Sequence, residues 1–331
     1  MKIKQEHESF VLQGEKWKSL RYADIDPSSL VVYRQEGETR RVFPAQAYEY
    51  HDGKIRRTQG SPIPDFSASP FYDLKGFDHE KFSVWGNEPY MLFADYECCA
   101  ATERTPEFRA RELSRKNGMA GRLKEFFEAR RSGEIRYTVF GDSISTGCEA
   151  SIPQYTFFER FSRYAAQKFG VSVPIENVAV GGESTFEGVR RYRRDVLASR
   201  PDIVSIGFGM NDQNTIGGKL TVPPDDYYKN ILEITCAVQD TGAQAVLISP
   251  CCPHPRWIHT SGRMDDYVAK LYEVSEHTGA CLADVNALWK DELQYKQPDD
   301  LLRNGINHPT DYGHYLYFLM LKNLIDRGER K

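Results

Sequence analysis

With 331 residues, 40% of them hydrophobic and 27% charged, the chain has the composition of a soluble globular protein long enough for two domains. Its formal net charge of -4 and pI near 6.1 remove any electrostatic case for nucleic acid or an anionic membrane as partner. The opening stretch MKIKQEHESF has no apolar core of signal-peptide length, and no later segment approaches a membrane span. Seven cysteines, an odd number with two vicinal pairs (Cys98-Cys99 and Cys251-Cys252), make a poor disulfide framework, so a reducing, cytoplasmic location is expected. Neither pair has the CxxC spacing of a zinc site, and no metal is expected.

Residues 1–105 read as β structure. Short alternating runs recur at Ser9–Leu12, Leu30–Arg34, Thr39–Phe43, Ala47–Tyr50, Lys54–Thr58, Phe82–Trp85 and Tyr90–Tyr96, separated by glycine, proline and aspartate. Asp52-Gly53 predicts a tight hairpin, because that pair supplies the positive φ angles of a type I′ turn. Short strands at this spacing predict a β-sandwich or jelly roll. Residues 106–133 form a charged connecting segment. In it Met119, Leu123, Phe126 and Phe127 stand at helical spacing, and Arg130-Arg131 lie on the solvated face.

From 134 to 331 strands alternate with helices. Apolar strands are predicted at Ile135–Phe140, Val173–Val178, Ile203–Gly207, Ala245–Ile248 and Cys281–Val285, with helices at about 155–169, 186–199, 225–241, 264–278 and 311–326. Short, mostly apolar strands are those of a parallel sheet covered on both faces. The predicted fold is therefore a three-layer, doubly wound α/β domain on a five-stranded parallel sheet, behind an all-β accessory domain. Sites in such sheets lie beyond the carboxyl ends of the strands.

At the first of those ends the run Tyr137–Phe140 stops at Gly141-Asp142-Ser143, so a buried strand delivers a serine to a tight turn. After the second strand comes Gly181-Gly182, after the third Gly209-Met210-Asn211-Asp212, and before the last helix Asn304-Gly305-Ile306-Asn307-His308-Pro309. Together these supply what acyl transfer on serine requires: a nucleophile, a base, and N–H donors for a tetrahedral oxyanion.

This ordered set resembles the SGNH (GDSL) hydrolases, whose four blocks carry Ser, Gly, Asn and His. Phe140-Gly141-Asp142-Ser143 matches the first, Asn177 with Gly182 five residues later the second, Gly209-Met210-Asn211-Asp212 the third, and His308-Pro309 the last. The resemblance covers about residues 134–326 and implies a flavodoxin-like sheet. It implies Ser143 as nucleophile and His308 as base, with the Ser143 amide, the Gly182 amide and the Asn211 side chain as oxyanion donors. Asp142 and Asp212 would hold the loops, and Gly181 could stand in for Gly182. The family places an aspartate three residues before the histidine. Here that position is Gly305, and one extra residue puts the acid's place on Asn304. Asp300 is the displaced candidate for the acid, and a Ser-His dyad is the alternative.

His254 and Trp257 follow a strand end and are candidates for the pocket wall, while His314 sits within the last predicted helix. The N-terminal strands resemble the β-rich region before some bacterial SGNH hydrolases. Related two-domain carbohydrate esterases act on acylated sugars, which implies a serine esterase removing a short acyl group, acetyl above all, from a small-molecule or oligosaccharide ester. No cofactor is implied, no nucleic acid or membrane partner is expected, and a homo-oligomer is left open. The alternatives are a lipid esterase, lysophospholipase or thioesterase, which would need an apolar groove, and a non-catalytic carbohydrate-binding protein.

Overall fold

The computed structural model describes residues 2–83, 86–116, 122–130 and 133–326. Five parallel strands form the central sheet, in the order Cys281–Ala283, Gln244–Ile248, Ile203–Gly207, Tyr137–Gly141, Ile175–Asn177. Counted along the chain this is the flavodoxin-like order 2-1-3-4-5. Alternate residues of the three middle strands enter opposite cores. Tyr137, Val139, Ile203, Val246 and Ile248 pack under the helices Phe157–Phe169 and Asp311–Asp326. Phe140, Val204, Ile206, Ala245 and Leu247 pack under Thr185–Asp195, Pro224–Asp240 and Met264–Thr278. Both faces are thus covered, which is why the inner strands are mostly apolar, while the edge strand Ile175–Asn177 carries Glu176 and Asn177 exposed.

Five of the helices agree with the sequence reading to within a few residues. The expected helix at 186–199 ends at Asp195, and its tail is a separate 3-10 turn at Leu197–Ser199. Helix Val285–Glu292 and the single turn Pro298–Leu301 have no counterpart in the reading. The connecting segment holds two helices, Pro106–Lys116 and Arg122–Ala129; Leu123, Phe126 and Phe127 pack into the sheet's core. Met119 and Arg131 lie outside the described residues.

The N-terminal region consists of two antiparallel sheets. One has the order Lys2–Phe10, Leu92–Cys99, Val31–Glu36, Thr39–Val42, and the other Lys18–Ser19, Lys54–Arg57, Tyr48–His51. Phe10, Val32, Leu92 and Tyr96 of the first share an apolar core with Ile55 of the second. The Asp52-Gly53 turn has the two positive φ angles its sequence predicts, 46° and 70°. The first strand is longer than Ser9–Leu12 and is broken by an irregularity between Gln5 and Glu8, which hides its alternation. Phe82 and Ser83 are not in a strand, Phe82 packing edge-on against Phe71, while Val84 and Trp85 lie outside the described residues.

This region is bolted to the α/β layer through polar bonds with no access to water. Lys296 Nζ meets Glu8 Oε1 at 2.5 Å, and Arg21 Nε meets Glu292 Oε1 at 2.7 Å. Ser9 Oγ donates to the Asp300 carbonyl at 2.6 Å, and the Asn87 amide to the Arg303 carbonyl at 2.7 Å. The last two fix the segment that leads to His308.

Candidate active site

In a 2-1-3-4-5 sheet the crevice opens where the chain direction reverses, between the carboxyl ends of Tyr137–Gly141 and Ile203–Gly207. Both ends deliver short polar loops there. Gly141 pairs with Gly207, and a Cβ on Gly141 would overlap the Gly207 carbonyl oxygen and the Ser145 hydroxyl. Only glycine lets the strands approach so closely. Asp142 then caps a single helical turn, Ser143–Thr146, its carboxylate accepting from the Ile144 amide at 3.0 Å. Ser143 leads that turn and lies in the wall of a cavity of about 540 Å³.

His308 reaches the serine from the far end of the chain, with Nε2 2.8 Å from Ser143 Oγ. Its backbone is held by Asn304, whose Oδ1 accepts the amides of Ile306, Asn307 and His308, each at 2.9 Å. Asn304 Nδ2 donates to Asn307 Oδ1 at 2.9 Å. The residue at the family's acid position is therefore spent on folding the histidine loop.

The loops that carry Gly182 and Asn211 are tied to each other and to the Ser143 turn. Asn177 Nδ2 donates to the Ser145 carbonyl, and Asn211 Nδ2 to the Glu183 carbonyl, both at 2.9 Å. Gly182 stands at φ +80°, the left-handed region that favours glycine. Gly181, Gly182 and Asn211 all line the cavity with Ser143 and His308. Beneath them, burial raises Asp142 to about 7, helped by the charge of Asp212, and burial raises Asp212 to about 6. Asp212 accepts from the Thr185 amide at 2.9 Å and from its hydroxyl, a loop-holding arrangement like that of Asp142.

Asp300 must be corrected. Its carboxylate is fully buried away from the cavity, where it meets Lys18 Nζ at 2.6 Å and accepts the amides of Gln297 at 2.8 Å and Val11 at 3.1 Å. It is part of the attachment of the N-terminal strands and does not face His308. The carboxylate that does is Glu149, with Oε1 3.7 Å from His308 Nδ1, beyond a formed hydrogen bond but within ion-pair reach. The neighbouring imidazole holds the Glu149 carboxyl below its ordinary range. No spacing rule points to Glu149, because it comes from the loop after Ser143 and not from the segment that leads to His308.

The remaining wall joins both halves of the chain. Trp257 lines the cavity, whereas His254 is buried behind it against Asp299, 3.4 Å away. His79 and Glu80, which the sequence reading missed, enter from the N-terminal region. The Phe77 amide donates to the Arg256 carbonyl at 2.9 Å and the Ile258 amide to the Phe77 carbonyl at 3.1 Å. Trp257 Nε1 donates to His79 Nδ1, and His259 Nε2 lies against Asp78 Oδ1, both at 3.1 Å. Among the described residues, Asp78, His79 and His259 form the one group able to hold a metal ion, their ligand atoms lying within 4.8 Å of one another. Those atoms already bond Trp257 and each other, and His79 and His259 line the cavity.

A sequence model of the GDSL-like lipase/acylhydrolase family matches residues 139–316, more than half of the chain. An arylesterase from Vibrio mimicus is 27% identical over 135 residues, 41% of this chain and 64% of that protein, so the chain spans less than two thirds of that relative. Among solved structures, an acetyl xylan esterase from Geobacillus stearothermophilus superposes with a TM-score of 0.51 at 20% identity, over 61% of this chain and 100% of that one. That structure is of a substituted variant, and another variant of the same esterase gives 0.51 at 20% identity, over 60% and 97%. At that identity the likeness is one of fold.

Proposed function

This chain belongs to the GDSL-like lipase/acylhydrolase family, and we propose that it is a serine esterase releasing short acyl groups from a polar, carbohydrate-like alcohol. The observation that carries the chemistry is the 2.8 Å contact between Ser143 Oγ and His308 Nε2 at the floor of a cavity that Gly182 and Asn211 also line. Ser143 Oγ attacks the ester carbonyl carbon as its proton passes to His308 Nε2. The oxyanion that forms takes hydrogen bonds from the Ser143 and Gly182 amides and from Asn211 Nδ2. One hydrogen of that amide holds Glu183, leaving the other for the oxyanion. His308 then returns the proton to the departing alkoxide. Water, deprotonated by the same imidazole, cleaves the acyl-enzyme and releases the acid and Ser143.

The wall combines the two kinds of surface a sugar ester presents. Cys148, Ile216, Trp257 and Ile306 give it more apolar than polar surface, on which a sugar ring can stack, while His79, Glu80, Asn214 and His259 offer donors and acceptors to a polyol. We also infer that residues 1–105 form an accessory domain, 106–133 its connector and 134–331 the catalytic domain, with the accessory domain supplying the His79–Glu80 side of the cavity. The test is hydrolysis of p-nitrophenyl acetate, butyrate and octanoate by wild type and Ser143→Ala. Acetate-selective turnover lost in Ser143→Ala is expected. Preference for octanoate would transfer the proposal to lipid esters, and equal rates for both proteins would remove the catalytic reading.

A further inference from the structure

We propose that Glu149 is the positioning carboxylate of this site, completing from the nucleophile's own loop the relay that the histidine segment leaves without an acid. The proposal rests on His308 acting as the base. Three observations carry it. First, His308 Nδ1 is buried and has no hydrogen-bond partner, while Glu149 Oε1 is the carboxylate oxygen that stands opposite it at 3.7 Å. With Nε2 facing the Ser143 hydroxyl as acceptor, Nδ1 carries the ring's hydrogen, and a buried N–H 3.7 Å from a carboxylate oxygen calls for closure of that gap when the ring becomes cationic.

Second, the other candidates are occupied. Asn304 is committed to three backbone amides and to Asn307, and Asp300 to Lys18 and two amides.

Third, the Glu149 loop is built to hold an unfavourable conformation. Glu149 stands at φ +67°, the left-handed region that non-glycine residues seldom occupy without cause. Its flanks are clamped by the elements that carry His308. His314 Nε2 lies 3.2 Å from the Cys148 carbonyl, and Asp311 accepts the Ser151 amide at 2.7 Å and its hydroxyl at 2.6 Å. Arg303 Nη1 reaches the Glu149 carbonyl at 3.4 Å. The Ser143 carbonyl accepts the Cys148 amide at 3.2 Å, so nucleophile, carboxylate and base share one clamp. His314 and Asp311, which the sequence places after the histidine, thus have a physical task in setting the acid loop.

As an orienting group, Glu149 would fix the ring's tautomer and stabilise the imidazolium without itself taking the proton. The test compares wild type, Glu149→Gln and Glu149→Asp by kcat/KM for p-nitrophenyl acetate across pH, and by proton NMR of the low-field Nδ1 hydrogen of His308 at acid pH. Glu149→Gln keeps the shape and removes the charge. The expected result is a loss of at least tenfold in kcat with KM within about threefold, and partial recovery in Glu149→Asp. The acid limb should move to lower pH by about one unit, because a cationic ring beside a neutral amide gives up its proton more readily. The low-field resonance should move upfield. A loss of rate with an unmoved acid limb and an unmoved resonance would mean a structural role only and would overturn the proposal, as would a Gln variant matching wild type in all three readouts. If wild type and Ser143→Ala are equally inactive, the esterase reading fails, and the resonance alone then decides whether Glu149 faces the ring as proposed.

Discussion

Replacing Lys296 by methionine should destabilise the whole protein through a site outside the Ser143 cavity. Lys296 and Glu8 are both at 0% exposure, with Nζ 2.5 Å from Oε1. Glu8 also accepts the Arg21 amide at 2.8 Å and the Tyr96 hydroxyl. In Lys296→Met these two hydrogen bonds remain while the counter-charge is gone, and methionine fills most of the space. Removing one partner of a buried ion pair costs about 3–5 kcal/mol, chiefly because the surviving charge cannot return to water. Against a total of roughly 5–15 kcal/mol that is a large fraction. Glu8→Gln with Lys296→Met removes both charges and should recover at least about 2 kcal/mol of the loss, the signature of a coupled pair. Urea unfolding followed by tryptophan fluorescence gives both numbers from the shift in midpoint at constant slope. Because the pair joins the N-terminal strands to the α/β layer, unfolding should remain a single transition. A Lys296→Met protein within about 1 kcal/mol of wild type would refute the reasoning, since a buried Glu8 could then tolerate isolation.

Two further outcomes are expected. Asn211→Ala should lower kcat on p-nitrophenyl acetate by about 10²- to 10³-fold with little change in KM, the usual effect of deleting one oxyanion donor; a change below threefold would remove Asn211 from that role. Burial keeps the His314 imidazole neutral by lowering it to about 4, so the unfolded chain binds more protons than the native one between pH 6.5 and 4. Its stabilising contribution is complete above that window and is lost as pH falls through it, about 3 kcal/mol in all. The stability difference between wild type and His314→Gln, measured by urea unfolding at pH 7 and pH 4, should therefore shrink by that amount on acidification. A difference that does not change with pH would contradict the burial argument.

What was legible in the sequence is what backbone chemistry dictates locally. Gly141-Asp142-Ser143, Gly182 and Asn211 sit at strand ends, where a change from apolar run to turn residues marks the spot, and the strand–helix alternation fixed the order of elements that converges them. His308 was legible because His308-Pro309, just before the last helix, matches the final block of the resemblance. Glu149 was not, since its approach to His308 depends on a left-handed backbone angle and on clamps from Arg303, Asp311 and His314 that no linear spacing encodes. Asp300 misled for the complementary reason: eight positions from His308 in sequence, it turns toward Lys18 and Val11 of the N-terminal strands. His79 and Glu80 were invisible because a wall built from two distant segments exists only once Phe77 has paired with the Arg256–Ile258 backbone.

The most direct test of the proposed chemistry is covalent trapping with p-nitrophenyl ethylphosphonate, followed by intact-mass measurement and peptide mapping. The expected result is one phosphonyl group per chain on the peptide carrying Ser143, absent in Ser143→Ala, with acetate hydrolysis lost in proportion to labelling. Full esterase activity after treatment, or a stoichiometric adduct on any other residue, would contradict Ser143 as the nucleophile.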